Sequence, residues 1–134
     1  MKNTDKYIFT VTNRQTADGH TDTVTETGIG KHRKGGDMLY LTYDTGEAKV
    51  FIKASQDTVT VKRMGASGSE MRYVPGRRTY FEYKTPYGVI AMSVFTRSIL
   101  TDEKNGAVRI CYSLYTGDDE MENDVEIKWE VKTE

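Results

Sequence analysis

Arg63 makes the most demanding chemical requirement in this sequence. In the segment 57–64 alternate residues are apolar, and if Val59 and Val61 face an interior, so does Arg63. A guanidinium removed from water is stable only beside a carboxylate or several acceptors. Glu26, which shares a face with Val24 in the Thr-rich stretch 22–30, is a candidate partner. Tyr112 shares a face with Ile110 and Leu114. Arg63, Glu26 and Tyr112 therefore form a candidate ligand-binding set. In it the guanidinium meets the anionic end of a small apolar or amphipathic molecule. The competing role for Arg63 is structural: an internal ion pair, or a head group reaching solvent beside Gly65.

A second set interleaves charge with rings, from Arg72 through Tyr73, Arg77, Arg78, Tyr80, Phe81 and Tyr83 to Lys84. Cations beside stacking faces suit single-stranded nucleic acid, and Arg72, Arg77, Arg78 and Tyr80 are the residues that would carry such contacts. The stretch lacks the aromatic spacing of RNP or cold-shock motifs. An RNA- or protein-interaction module using the 72–84 hairpin therefore stands second to small-ligand binding, and nucleic acid ranks behind a small ligand as partner. The basic cluster Lys31-His32-Arg33-Lys34 and the acidic run from Gly117 to Asn123 read as solvated loops.

The machinery of catalysis is sparse. His20 and His32 lie in charged, loop-like surroundings without Cys or a second His at ligand spacing, so no zinc site is implied. The Ca²⁺-loop, phosphate-loop and G-x-S-x-G patterns are missing. The expectation is a non-enzymatic binding module with no catalytic residues, no metal and no cofactor. No run of apolar residues is long enough to span a bilayer, so no membrane partner is expected. Met1 to Lys6 shows no secretory apolar region. Cys111 is the only cysteine, which forbids an internal disulfide and fits the cytoplasm. The oligomeric state is left open by the sequence.

The elements that must position these side chains are strands. Thr, Val and Ile far outnumber Leu and Ala, which favours pleated chains over helices. Alternation recurs through 6–13, 22–30, 37–44, 47–54, 57–64, 69–74, 78–84, Tyr87 to about Ile99, 107–115 and 124–132. Turn signals separate these segments: Thr45-Gly46, Pro75-Gly76, Pro86-Tyr87-Gly88 and Asn105-Gly106. Short connections join neighbours antiparallel, and closure removes the exposed edges that an open sheet would keep. The sequence predicts an all-β, antiparallel up-and-down meander barrel of about nine or ten strands, as a single domain over 1–134. Charge is divided along it: residues 117–134 hold eight acidic and two basic side chains, although the whole chain is at −1.

Four segments occur in an order found elsewhere. Met38-Leu39-Tyr40-Leu41-Thr42-Tyr43, the strand end Lys62-Arg63-Met64-Gly65, the corner Thr85-Pro86-Tyr87-Gly88 and Val108-Arg109-Ile110-Cys111-Tyr112-Ser113-Leu114 together resemble the YwiB-like family of small bacterial proteins. This is a domain of unknown function found mainly in Firmicutes, and the resemblance covers essentially the whole chain. It implies a lipocalin-like (calycin) barrel and supplies no activity, ligand or site residues. The lipocalin Gly-x-Trp signature near the N-terminus is absent, since the one tryptophan is Trp129.

Overall fold

Branched and aromatic side chains at alternate positions make strands along the chain. A computed structural model describes residues 6–133, and within them ten strands form one antiparallel sheet. They are β1 (Tyr7–Ala17), β2 (His20–Gly35), β3 (Met38–Asp44), β4 (Ala48–Ala54), β5 (Val59–Gly65), β6 (Ser69–Tyr73), β7 (Arg78–Thr85), β8 (Gly88–Asp102), β9 (Ala107–Thr116) and β10 (Asp119–Val131). With the exception of β6 and β7, each strand pairs with its sequence neighbour. β1 also pairs with β10, from Tyr7 opposite Val131 to Thr16 opposite Glu122. First and last strands therefore meet, as the meander predicts, and the sheet curls into a nearly closed barrel.

The remaining opening lies between β6 and β7. Among the described residues one backbone couple, Gly68 with Lys84, joins these strands, through two hydrogen bonds of 2.8 Å. The Pro75-Gly76 corner explains this. Proline offers no N–H, and Gly76 turns at φ +78° so that its own N–H reaches Thr96 O on β8 at 2.8 Å. Thr96 N returns a bond to Arg77 O at 3.2 Å, and a register shift between Thr96 and Ser98 kinks β8 there. The start of β7 is held to β8 by these bonds while β6 ends on the other side of the corner.

Phe9, Leu39, Leu41, Tyr43, Val50, Ile52, Ile110, Ile127 and Trp129 fill the interior. Gly28 and Gly30 face inward opposite Phe9 and Tyr7 of β1, and the rings cover the bare backbone. Phe9 stacks on Tyr43 with centroids 5.0 Å apart.

Two expected loops are strand. Lys31 to Lys34 belong to β2 because β3 pairs with it from Ile29 to Gly35. His32 points inward, stacked on Trp129 at 5.5 Å and edge-on to Tyr7 at 5.4 Å. The acidic run is likewise strand from Asp119, because Gly117 (φ +60°) turns the chain tightly and the ladder with β9 starts at Asp119 opposite Thr116. Met1 to Asp5, in which no secretory signal is read, lie outside the described residues. No helix of the structure is long and apolar enough to cross a membrane.

Candidate functional site

Arg63 and Glu26 come together as their shared inward parity suggests. The guanidinium engages the carboxylate at both oxygens, Nη1 to Oε1 at 3.0 Å and Nη2 to Oε2 at 2.5 Å. β3 has ended at Asp44, opposite Ile29, and this lets a β2 side chain at Glu26 reach β5 over the β3–β4 turn. The Arg63 side chain keeps 37% of its surface exposed and Glu26 27%, so water screens the pair. Its net worth is on the order of 1 kcal/mol. Directly below it Tyr43 is buried, and burial together with the Glu26 carboxylate pushes its phenol well above the ordinary range.

Tyr112 is not part of this arrangement. It is buried against Tyr73, with ring centroids 4.8 Å apart. Tyr73 opposes Val59 whereas Arg63 opposes Ser69, four residues along β6 or roughly 13 Å. Burial raises the pKa of Tyr112, and burial together with Tyr112 raises that of Tyr73. Tyr43, Tyr73 and Tyr112 therefore stay neutral in the fold where an unfolded chain ionises them, above about pH 10. Stability from these groups is complete below pH 10 and falls as pH rises past it, by about 1.4 kcal/mol per unit for each phenol. An ultraviolet titration should show three tyrosines ionising only with loss of the fold. Smooth ionisation of all tyrosines in a folded protein would disprove it.

Phe9, Leu41, Ile110 and Trp129 line none of the clefts described on the molecule; they fill the barrel instead. A cleft of about 770 Å³ straddles the β6–β7 opening. Arg63 enters it from the inner side with Ser69 and Phe81, and Lys62, Arg72, Tyr80 and Lys84 flank it outside. The alternation of an antiparallel ladder turns the main-chain groups of Glu70 and Arg72 toward β7, and those of Tyr80 and Glu82 toward β6. Apart from the Gly68–Lys84 couple, no ladder pairs β6 with β7 among the described residues. Thr79 donates its Oγ1 hydroxyl to Arg72 O at 2.5 Å instead.

The other residues of the 72–84 set separate. Tyr80 is 77% exposed at the cleft. Arg77 sits in the corner, its N–H bonded to Val74 O at 3.0 Å. Arg78 shares the outer face of Tyr80 but leans away from the cleft, lying 4.2 Å over the Tyr115 ring and donating to Ser93 Oγ at 3.1 Å. The structure thus unites Arg72 and Tyr80 with Arg63 and leaves Arg77 and Arg78 outside the cleft.

Cations that sequence reading assigned to loops or left unremarked extend this surface. Arg33, Tyr40, Lys53, Thr60 and Arg72 oppose one another in turn across β2 to β6. The next row, Lys31, Thr42, Phe51, Lys62 and Glu70, runs alongside. Among the described residues Lys31, Lys53, Lys62, Arg72 and Lys84 meet no carboxylate within 4 Å, whereas Arg109 on the β9–β10 wall is paired with Asp124 at 2.6 Å. Outward parity in each strand was the available signal for these residues; which strands lie side by side was not.

A family model described as "Domain of unknown function (DUF1934)" matches residues 9–128 of the chain. The chain is 30% identical over 109 residues to the "Uncharacterized beta-barrel protein YwiB" of Bacillus subtilis (strain 168), over 77% of each sequence. It is also similar to the crystal structure of ywiB protein from Bacillus subtilis, with a TM-score of 0.85 at 27% identity, covering 99% of this chain and 96% of that one.

Proposed function

Since this chain belongs to the DUF1934 family of β-barrel domains, we propose that it is a non-enzymatic binding module taking an anionic, amphipathic ligand in the wall cleft between β6 and β7. The observation that carries this reading is the cleft's lining. Arg63, Lys62, Arg72 and Lys84 converge on it against Glu70 and Glu82, and Phe81, Tyr80 and Met64 add apolar surface. Its volume suits a small molecule. Arg72 and Lys84 meet the ligand's charge, and Arg63, held by Glu26, approaches from the inner side. The same reading places the module in the cytoplasm, supported by Cys111 as its sole cysteine.

Dodecyl phosphate titrated calorimetrically tests the cleft. Arg72→Ala combined with Lys84→Ala should weaken binding at least tenfold without moving the melting temperature, because both side chains are exposed and free of carboxylates. Arg63→Met should weaken it by a similar factor and lower stability by about 1 kcal/mol, the worth of the Glu26 pair. Binding unchanged in both variants would remove the cleft from consideration.

A further inference from the structure

We infer that the outer wall from β2 to β7 is a docking face for single-stranded nucleic acid, whose path crosses the strands and ends in the β6–β7 cleft. This rests on the cleft reading above and extends it from a small anion to a polymer. The row Arg33, Tyr40, Lys53, Thr60, Arg72 alternates a cation on every second strand with a ring or hydroxyl between, and Tyr80 continues it beyond the opening. Neighbouring paired strands are about 4.8 Å apart, so the cations repeat at about 9.6 Å and the row from β2 to β6 spans about 19 Å before it reaches the opening. A strand lying across it meets phosphate partners at a regular interval, with ring faces where its bases fall. That length suits a site of roughly four nucleotides or more.

Two further features favour this occupant. Arg33 lies 4.5 Å over the Tyr40 ring, which holds a cation and a stacking face together before any ligand arrives. In the cleft floor β6 and β7 form no ladder beyond the Gly68–Lys84 couple, and strand edges that face each other without a ladder offer donors and acceptors that can meet a base edge. Glu70 and Glu82 stand among the cations on this wall and would repel a continuous anionic membrane, while a single strand passes along the adjoining cationic row. An acidic peptide satisfies the charges but has no base to stack on Tyr40 or Tyr80.

Fluorescence anisotropy with a labelled twelve-nucleotide oligouridylate tests the path on the full chain. Neutralising about four phosphates predicts a loss of affinity of about 50-fold between 50 and 200 mM salt. Tyr80→Ala should cost about tenfold by loss of stacking. Arg33→Ala with Lys53→Ala, both outside the cleft, should weaken the oligonucleotide while leaving dodecyl phosphate binding unchanged, with melting temperatures confirming that every variant is folded. If dodecyl phosphate binds and the oligonucleotide does not, the path is wrong and the cleft stands; if neither binds, both readings fall. Equal affinity for a twelve-residue polyglutamate, or for vesicles rich in anionic lipid, would overturn the assignment to nucleic acid.

Discussion

Gly30→Ala is expected to abolish the fold or cost at least about 4 kcal/mol, among the largest single-methyl effects available to a domain of this size. A Cβ at Gly30 would stand 1.7 Å from Thr42 O and 2.6 Å from Thr42 C and Tyr43 Cα. All three are main-chain atoms of β3, so no rotamer change relieves the clash. Relief requires β2 to separate from β3 at the Gly30–Tyr43 pair, in the wall that carries Glu26 and covers Tyr43. Set against a typical net stability of about 5–15 kcal/mol, that leaves little native protein. The same substitution at Gly35 of the same strand is the control. Its Cβ would first meet Tyr40 Cε2 at 3.6 Å, an ordinary contact, and alanine loses less backbone entropy on folding than glycine. Gly35→Ala should therefore be neutral or stabilising by up to about 0.5 kcal/mol. Urea denaturation of the pair decides the matter: similar midpoints would mean that the close approach of β2 and β3 is not a constraint.

Phe9→Ala is expected to cost about 3–5 kcal/mol. Phe9 is fully buried, stacks on Tyr43 and lies 6.3 Å from Trp129 centroid to centroid. It is also the direct cross-strand neighbour of Gly28, which has no side chain with which to fill the vacated space. A cavity left there is bounded by backbone on one side, and collapse is limited because Gly28 already sits against Tyr43 and Asp44 O. Phe9→Leu should recover most of the loss, since it restores apolar volume and sacrifices chiefly the ring stacking. The measurement is chemical denaturation of both variants with the slope monitored. A cost for Phe9→Ala below about 1 kcal/mol would show that the glycine-faced wall closes in, and that the ring is not what holds β1 against β2 and β3.

Both predictions concern a wall whose strands could be read from the chain but whose extents could not. The first residues of β2, His20 and Thr21, lie outside the alternation read at 22–30; they are exposed and no dry face imposes a pattern on them. At the start of β10 charge masks the pattern: Met121 and Asn123 turn inward, but the acids around them resemble a loop although the backbone is paired with β9 from Asp119. Alternation gives no signal where nearly all of a strand's residues are polar.

For the candidate site, parity alone indicated that Arg63 and Glu26 share an interior face, and the structure pairs them through two hydrogen bonds. Parity also placed Tyr112 inward, but a period of two carries no information about height along the barrel. Tyr112 is inward and belongs to another layer, packed on Tyr73. The set Arg72, Arg77, Arg78 and Tyr80 is divided for a related reason. Contiguity in sequence does not say which neighbouring strand a side chain leans toward: Arg77 sits in the corner, Arg78 leans over β8 and β9, and of the four Arg72 and Tyr80 line the cleft.

Residue types and their alternation by themselves determined an all-β antiparallel meander closed through its first and last strands, and the inward direction of Arg63 and Glu26. These are local properties: Cβ branching selects the pleat, and alternation selects the face. The position of the barrel's opening, the cleft it creates and the cationic row running from Arg33 to Arg72 were decided by tertiary structure alone. They depend on register between strands, and a shift of one residue would move every one of these side chains to the other face. No segment contains that register; the row is set by the ladders from β2 to β6, and the opening arises where Gly76 bonds to Thr96 and holds β7 to β8, leaving a single pair, Gly68 to Lys84, across the gap.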